Sequence, residues 1–203
     1  MAKAMVLTKE NVLATMAGRK RMTRRIINPQ PDNHCRINFE NGILKQSSKI
    51  SGCWHVDRKW KPRYQVGDEV YVAEGYQIIE HAQTDMGKWI SGTYTADKKI
   101  FQKTLTTHEE ILYRKRQYPG RPTSGRFMYK SLARTFMKIT EVRVERLWDI
   151  SESDCIAEGV IPKDLLPCSP YEIFATLWKT IHGPGAWKLN PWVWVYSWKL
   201  GDK

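Results

Sequence analysis

Hydrophobic and polar positions alternate with two different periods along the chain, which predicts a mixture of helices and strands. Val12, Leu13 and Met16 follow helical spacing and predict a short first helix. Gly18 lies where a glycine commonly ends a helix. Runs of period two, rich in β-branched and aromatic residues, predict strands at 69–74, 88–96 and 136–147. The pattern therefore predicts an α+β fold.

The C-terminal part of the chain predicts two further helices and a buried strand. Ser151 opens a sequence that resembles a capping box, and Gly159 ends this short helix, so Glu158 lies on its last turn. A second capping box begins at Ser169 and opens a longer helix with an aromatic face. Residues 191–198 are apolar on both strand faces, which predicts a central strand.

No internal repeat, low-complexity tract or linker divides the chain, so we expect a single domain over residues 1–203. The predicted architecture is a mixed, barrel-like sheet with short flanking helices. The dipeptide Asn41–Gly42 between apolar positions predicts a small hairpin. Residues 98–125 lose the regular pattern, with a polar helix predicted at 104–116, and are interpreted as an insertion.

The charge balance predicts an anionic partner. The chain has 33 Lys and Arg against 21 Asp and Glu, which gives a formal charge of +12. A surplus of this size favours nucleic acid, because phosphate contacts supply most of non-specific affinity. The chain has no run of about 18 apolar residues and no signal-peptide pattern, so we expect a cytoplasmic protein that does not bind a membrane.

Four cysteines occur without the C-x-x-C spacing that is typical of zinc ribbons and redox pairs. His34, Cys35, Cys53 and His55 could together supply four zinc ligands, but their spacing is atypical of zinc sites. We therefore expect reduced thiols, no metal and no cofactor.

A cluster of basic residues at 19–25 follows the first helix. Arg19, Arg24 and Arg25 offer guanidinium groups to phosphate, and Thr23 adds a hydroxyl. A solvated, charged turn is the alternative interpretation. Trp54 lies in another basic, polar segment, which suits either base stacking or a contact with a small core.

The same cluster permits a catalytic interpretation. Neighbouring Arg charges disfavour the charged form of Lys20, so its amine could act as a base near neutral pH. The Thr23 hydroxyl would be the nucleophile. A carboxylate would carry the proton to a leaving amine, and the candidates for this role are Glu158, Glu74 and Asp68.

Several segments, taken in order, resemble the ASCH-domain proteins common in phages and prophages. The matching segments lie at residues 18–25, 67–74, 142–147, 150–151, 157–160, 177–178 and 190–195. This resemblance implies a PUA-like β-barrel with flanking helices and a cleft facing RNA or a nucleotide-like ligand. A phage or prophage origin is a further implication of the resemblance.

One bacterial branch of that family comprises 4-acetylcytidine amidohydrolases, which use a Lys, a Thr three residues later and a Glu. Lys20, Thr23 and Glu158 fall on those positions. The resemblance implies that Lys20 activates Thr23, that Glu158 carries a proton to the leaving amine, and that Arg25 helps to bind the ligand. Glu74 would line the pocket or pair with an Arg of the basic cluster.

Three functions follow from these expectations. The first is a binding module that holds RNA or a nucleotide-like ligand in the basic cleft. The second is a metal-independent amidohydrolase acting on an acylated cytosine nucleoside or a related modified base. The third is a phage protein-interaction module that binds a host or phage protein through the insertion.

Overall fold

A computed structural model describes residues 3–32, 34–50, 53–84, 87–106, 109, 120–160 and 168–201. The chain divides into two compact units, each built from separate segments. Unit 1 comprises residues 1–17, 69–137 and 201–203, and unit 2 comprises residues 18–68 and 138–200. Every residue of the predicted Lys, Thr and Glu set lies in unit 2.

Strands outnumber helices in the described residues. In chain order the elements are β1 Lys3–Val6, α1 Lys9–Met16, β2 Met22–Ile26, β3 Arg36–Glu40, β4 Ile43–Ile50, β5 Cys53–Trp60, β6 Glu69–Ala73, β7 Tyr76–Thr84, β8 Gly87–Tyr94, β9 Ile100–Thr104, β10 Pro122–Thr123, β11 Phe136–Arg146, α2 Glu152–Ala157, α3 Pro170–His182 and β12 Trp192–Leu200. Short 3₁₀ helices lie at Gly125–Phe127, Lys130–Leu132 and Leu147–Asp149. The predicted α+β class is confirmed.

The predicted closure into a barrel is not found in the described residues, whose strands form several open sheets. A barrel needs the first and last strands of a sheet to pair with each other. In unit 1 the strand order β10-β7-β8-β9 ends at two edges, and in unit 2 the order β3-β4-β5 does the same. The short β10, only two residues long, offers little backbone for closing its sheet.

Unit 1 combines a parallel strand pair with an antiparallel sheet. β1 pairs with β6 in parallel, from Lys3 opposite Val70 to Val6 opposite Ala73. The predicted first helix is confirmed as α1, which begins where the Thr8 side chain accepts a hydrogen bond from the Asn11 backbone N–H. The core of the antiparallel sheet contains Tyr76, Ile78, Ile90, Tyr94, Met128 and Leu132.

In unit 2, α2 and α3 share a hydrophobic core with one sheet, in which β12 lies between β11 and β2. β12 pairs antiparallel with β2, from Val193 opposite Ile26 to Ser197 opposite Met22, so the predicted central strand is confirmed. The core of this unit contains Met22, Leu147, Ile150, Cys155, Phe174, Trp178, Val193 and Val195. Ser169 caps α3 with the predicted capping box.

The predicted hairpin of unit 2 is confirmed between β3 and β4. Asn41 and Gly42 have φ angles of 50° and 69°, the positive values that a tight turn of this kind requires. β4 continues into an antiparallel pair with β5. These three strands form a separate sheet of unit 2.

The predicted insertion is only partly within the described residues. Of the polar helix expected at 104–116, most lies outside them. The start of the insertion is more regular than expected, because Ile100–Thr104 forms β9 and pairs with β8. The residues of β9 are alternately exposed and half-buried, which fits an edge strand of an antiparallel sheet.

None of the helices in the described ranges is long and apolar enough to cross a lipid bilayer.

Candidate functional site

The backbone around Lys20 is fixed between α2 and β12. The Arg21 N–H donates to the Ala157 carbonyl at 2.8 Å, and the Arg21 carbonyl accepts from the Trp198 N–H at 3.0 Å. These two bonds join the segment before β2 to the last turn of α2 and to the central strand. Lys20 and Glu158 are therefore brought together although they are 138 positions apart in the chain.

Glu158 lies at the C-terminal end of α2, as the sequence predicts. Ser151 caps the start of this helix by accepting a hydrogen bond from the Asp154 N–H, and the Gly159 backbone, with φ of 92°, ends it. Both the backbone carbonyl and the carboxylate of Glu158 face Lys20. The helix end thus supplies two acceptors to one ammonium group.

Lys20 and Glu158 form a buried ion pair. Lys20 Nζ donates to Glu158 Oε2 at 2.6 Å and to the Glu158 carbonyl oxygen at 2.8 Å. The exposed fractions of the two side chains are only 2% and 5%. Desolvation at this depth is costly for any charge, so the pair depends on its own hydrogen bonds.

The pKa of Lys20 is lowered from its ordinary value, as the sequence predicts, but the main cause differs from the one expected. Burial lowers this pKa most, the Glu158 carboxylate opposes the effect, and the charges of Arg25 and Arg24 lower it further. Arg crowding is therefore a secondary cause. A lysine in this environment is a candidate for proton transfer, because its neutral form becomes accessible closer to neutral pH.

Arg24 joins Glu158 to two further carboxylates. Its Nη1 donates to Glu158 Oε1 at 3.3 Å, and its Nη2 donates to Glu145 Oε1 at 2.5 Å and to Asp154 Oδ2 at 2.7 Å. The Arg24 side chain is fully buried. Its guanidinium group is thus engaged with protein carboxylates, and its predicted role in ligand binding stays a prediction.

Arg143 extends the same network toward solvent. It donates to Asp154 Oδ2, to Glu145 Oε2 at 3.0 Å and to Glu141 Oε2 at 3.0 Å. Sequence reasoning did not include Glu145, Asp154 or Arg143 in the site. The alternation of charged and apolar residues along β11 was a signal, because it places Arg143 and Glu145 on one strand face.

Thr23 lies on β2, opposite Tyr196 of β12, with 6% of its surface exposed. Successive strand residues point to opposite faces, so the Thr23 side chain leaves β2 on the face opposite to Arg24. Within the described residues its hydroxyl makes no hydrogen bond to Lys20 or Glu158. Arg25 lies on the same face of β2 as Thr23, and its charge nevertheless lowers the pKa of Lys20.

The other predicted arginines of the cluster differ from Arg24 in exposure. Arg19 and Arg25 are both exposed. Burial lowers the pKa of His182 most, and the charge of Arg25 lowers it further. These two side chains and the exposed Arg21, rather than Arg24, present the positive charge of the cluster to solvent.

Glu74, predicted to line the pocket or to pair with the basic cluster, lies in unit 1 and pairs with Arg134, which is outside that cluster. Its pocket-lining role stays a prediction. Arg134 Nε donates to Glu74 Oε1 at 2.7 Å, and Arg134 Nη2 donates to Glu74 Oε2 at 2.8 Å. The same guanidinium group binds Asp97 and lies 3.9 Å from the centre of the Tyr94 ring. A second buried charge network thus occupies unit 1.

Trp54 lies on β5, opposite Lys49, and its side chain is outside the described residues. Trp60 of the same strand is buried, with 8% of its surface exposed, and belongs to the core of unit 2. Among the described residues, no group of three or more His, Cys, Asp or Glu is arranged to hold a metal ion. The predicted thiols Cys35, Cys53, Cys155 and Cys168 are all free.

Comparisons of the chain with protein-family models, with curated proteins and with solved structures found no match. The chemistry of the site is therefore interpreted from its own geometry. A buried ammonium group in direct contact with a buried carboxylate can pass a proton from one group to the other across a single hydrogen bond.

Proposed function

We propose that the chain is a metal-independent amidohydrolase that acts on an acylated cytosine nucleoside or a related modified base. The observation that carries the proposal is the buried contact of 2.6 Å between Lys20 Nζ and Glu158 Oε2, together with the lowered pKa of Lys20. The proposal includes membership of the ASCH, PUA-like family, a cytoplasmic location and a phage or prophage origin. The motifs quoted above support that membership.

In the proposed reaction, neutral Lys20 removes the proton of the Thr23 hydroxyl, and the Thr23 oxygen attacks the amide carbonyl carbon. The resulting oxyanion collapses and the bond from the carbonyl carbon to the exocyclic nitrogen breaks. The proton passes from Lys20 through Glu158 to the leaving nitrogen, which releases the cytosine amine. Water then hydrolyses the Thr23 ester, which frees the carboxylic acid and restores the hydroxyl.

The roles of the surrounding charges follow from their contacts. Arg24 is a positioning residue, because its guanidinium group holds Glu158, Glu145 and Asp154 together. The proposed reaction requires the Thr23 hydroxyl to come within hydrogen-bond distance of Lys20 when substrate binds, because the two side chains share no hydrogen bond in the described structure. Arg25, exposed and on the face of Thr23, would contact the substrate.

A module that binds RNA or a nucleotide-like ligand without turnover is the second candidate function. The exposed positions of Arg19 and Arg25 favour it, because guanidinium groups that face solvent can bind phosphate. This function needs no neutral lysine and no nucleophile. The two candidates therefore differ in what a change at Lys20 or Thr23 would do.

The experiment that tests the proposal measures release of cytidine from 4-acetylcytidine by chromatography and mass spectrometry. We expect turnover by the wild type, and a loss of about 10²-fold or more in Lys20→Gln. Thr23→Val should lose turnover, whereas Thr23→Ser, which keeps a hydroxyl, should retain part of it. Thermal unfolding of each variant separates loss of chemistry from loss of structure.

The same assay identifies the second candidate. Absence of cytidine release by the wild type, with 4-acetylcytidine still bound, would contradict the amidohydrolase and favour binding alone. Full turnover in folded Lys20→Gln would remove the catalytic assignment of Lys20. Turnover that persists in the presence of a chelator is expected, because the proposed steps use only side chains and water.

A further inference from the structure

The sheet formed by β3, β4 and β5 has two chemically different faces. Phe39, Leu44 and Trp60 are aligned by the strand register on one face. Leu44 is fully buried, and the Phe39 ring packs edge-on against the Trp194 ring of β12, with 5.6 Å between the ring centroids. This inner face belongs to the core of unit 2. The opposite face, here called the outer face, is not used by the proposed reaction.

The outer face is basic. The register of β5 against β4 shifts between Gln46 and Ser47. With this shift, the register and strand alternation place the following residues on the outer face: Arg36, Asn38, Glu40, Ile43, Lys45, Ser47, Lys49, Val56 and Lys59. Lys49, Lys59 and Arg36 are exposed, and Lys45 is partly exposed. Glu40 lies at the hairpin end of this face, 3.4 Å from Lys45, and the exposed Asp57 at the register shift of β5 accepts a hydrogen bond from Ser48 Oγ at 3.0 Å.

The strand register places two of these lysines directly opposite each other. Lys45 of β4 pairs with Lys59 of β5. Like charges at directly opposite positions of an antiparallel pair destabilise the sheet. Lys49 lies on the same face, four residues further along β4, a distance of about 13 Å at the usual rise per residue. A polyanion laid across this face would neutralise both the pair and the third lysine.

We propose that the outer face binds the phosphodiester backbone of a single-stranded nucleic acid. The occupant follows from charge complementarity: three lysines lie in two adjacent rows on an exposed sheet face, and phosphates recur along a flexible strand. Lysine ammonium groups bind phosphate as point charges and need no base sequence. The face therefore gives affinity without sequence preference.

This surface goes beyond the proposed function. Lys45, Lys49 and Lys59 make no contact with Lys20, Thr23 or Glu158 in the described hydrogen bonds and ion pairs, and turnover of a free nucleoside does not require them. If both proposals hold, the outer face would retain a polynucleotide that carries the modified base. Binding of nucleic acid and hydrolysis of the nucleoside can thus fail separately.

The test measures fluorescence anisotropy of a labelled single-stranded oligoribonucleotide, with an oligodeoxyribonucleotide of the same sequence as the second probe. The variant Lys45→Gln, Lys49→Gln, Lys59→Gln is compared with the control Lys99→Gln, Lys130→Gln, Lys199→Gln, which removes the same charge from other exposed positions. For a single strand each lost phosphate contact lowers the slope of log affinity against log salt by about 0.7, so the outer-face variant should lose about 2.

We expect the outer-face variant to lose about tenfold or more in affinity near physiological salt, and the control to lose much less. The variant should unfold at the same or a higher temperature, because the Lys45–Lys59 repulsion is removed. Its release of cytidine from free 4-acetylcytidine should be unchanged.

Three results would overturn the proposal. Equal losses in the two triple variants would mean that net charge alone drives binding. A wild-type affinity that does not depend on salt would exclude phosphate contacts. Binding of anionic phospholipid vesicles, but of neither oligonucleotide, lost in the outer-face variant would assign the face to a membrane surface instead.

Discussion

Unit 1 and unit 2 each bury a glutamate against a cation, and the two arrangements differ in the cation. Glu74 of unit 1 and Glu158 of unit 2 are 2% and 5% exposed. Arg134 binds Glu74 through two parallel hydrogen bonds and binds Asp97 through two more. Glu158 receives a lysine ammonium on one oxygen and a guanidinium group on the other.

This difference decides which network can transfer protons. A guanidinium group keeps its proton in proteins, and the two carboxylates raise the pKa of Arg134 further. The pKa of Lys20 moves in the opposite direction because the ammonium group is buried. Burial of a glutamate therefore does not by itself mark a reactive site. The network in unit 1 holds structure together, whereas the network in unit 2 contains a group that can change its charge.

The largest expected effect is a loss of turnover in unit 2, measured by making the same isosteric change in each unit. Glu158→Gln removes the group that we propose carries the proton to the leaving amine, so release of cytidine from 4-acetylcytidine should fall by about 10²- to 10⁴-fold. Glu74→Gln makes the identical change next to Arg134 and should leave turnover of folded protein near that of the wild type.

Similar turnover in the two variants would contradict this difference between the units. Equal loss of turnover in folded Glu74→Gln would mean that the carboxylate of unit 1 acts in the reaction. Wild-type turnover in Glu158→Gln would remove its catalytic role. Circular dichroism and thermal unfolding confirm that each variant is folded before its kinetics are interpreted.

The second prediction concerns stability and places the larger loss in unit 1. Arg134→Met leaves Glu74 and Asp97 without their shared cation, and removing one partner of a buried pair costs about 3–5 kcal/mol of unfolding free energy. Urea denaturation measures this loss. The exposed Arg126, changed to Met in the same way, serves as the control and should change the unfolding free energy by less than about 0.5 kcal/mol. A small loss in Arg134→Met would show that the unit 1 network is dispensable.

The third prediction uses the lowered pKa of Lys20. Between that lowered value and 10.5, the unfolded chain holds a proton on Lys20 that the folded chain has released. Stability should therefore rise with pH in this window, by up to about 1.4 kcal/mol per pH unit, and this gain is absent below the folded pKa. Urea denaturation at several pH values, compared between wild type and Lys20→Met, isolates the contribution.

The stability of the wild type is compared with that of Lys20→Met because other titrating groups oppose the rise of stability with pH. Burial raises the pKa of Tyr196 to about 12, so its ionisation in the unfolded chain lowers stability at high pH. This contribution is the same in Lys20→Met and cancels in the comparison. Parallel stability curves for the two proteins would contradict a lowered pKa at Lys20.

The smallest expected effect comes from the outer end of the unit 2 network. Arg143 binds three carboxylates, yet 30% of its side chain is exposed, so solvent screens its ion pairs. Arg143→Gln should lower the unfolding free energy by about 1 kcal/mol or less. Urea denaturation beside Arg134→Met tests whether burial, rather than the number of carboxylates, sets the cost. A loss as large as that of Arg134→Met would contradict this dependence on burial.

Local features of the chain were predictable from sequence because they depend on neighbouring residues. The caps at Ser151 and Ser169, the turn at Asn41–Gly42 and the end of α2 beside Glu158 all follow from short-range hydrogen bonds and backbone preferences. The lowered pKa of Lys20 was also predicted in direction. Its main cause was not, because burial of a side chain in a charged turn depends on packing that the local sequence does not specify.

Long-range pairing limited the rest of the prediction. Residue types alone left Glu158, Glu74 and Asp68 as candidates for the proton-carrying carboxylate. The family resemblance implied Glu158, and the tertiary structure pairs Glu158 with Lys20. The same holds for Arg24, which is as basic in sequence as Arg25 but is enclosed by three carboxylates. Strand alternation could have distinguished the two arginines, because Arg24 and Arg25 must point to opposite faces of β2.

The pairing of β2 with β12 has a consequence for the order of events during synthesis. Ile26, near the start of the chain, pairs with Val193, near its other end. A ribosome therefore produces Thr23, Arg24 and Arg25 long before the strand that covers them emerges. Contacts so distant in sequence form slowly, so we expect this strand pair to form only after β12 has been synthesised. A nascent chain stalled before residue 192 would expose this basic strand to any polyanion at the ribosome surface.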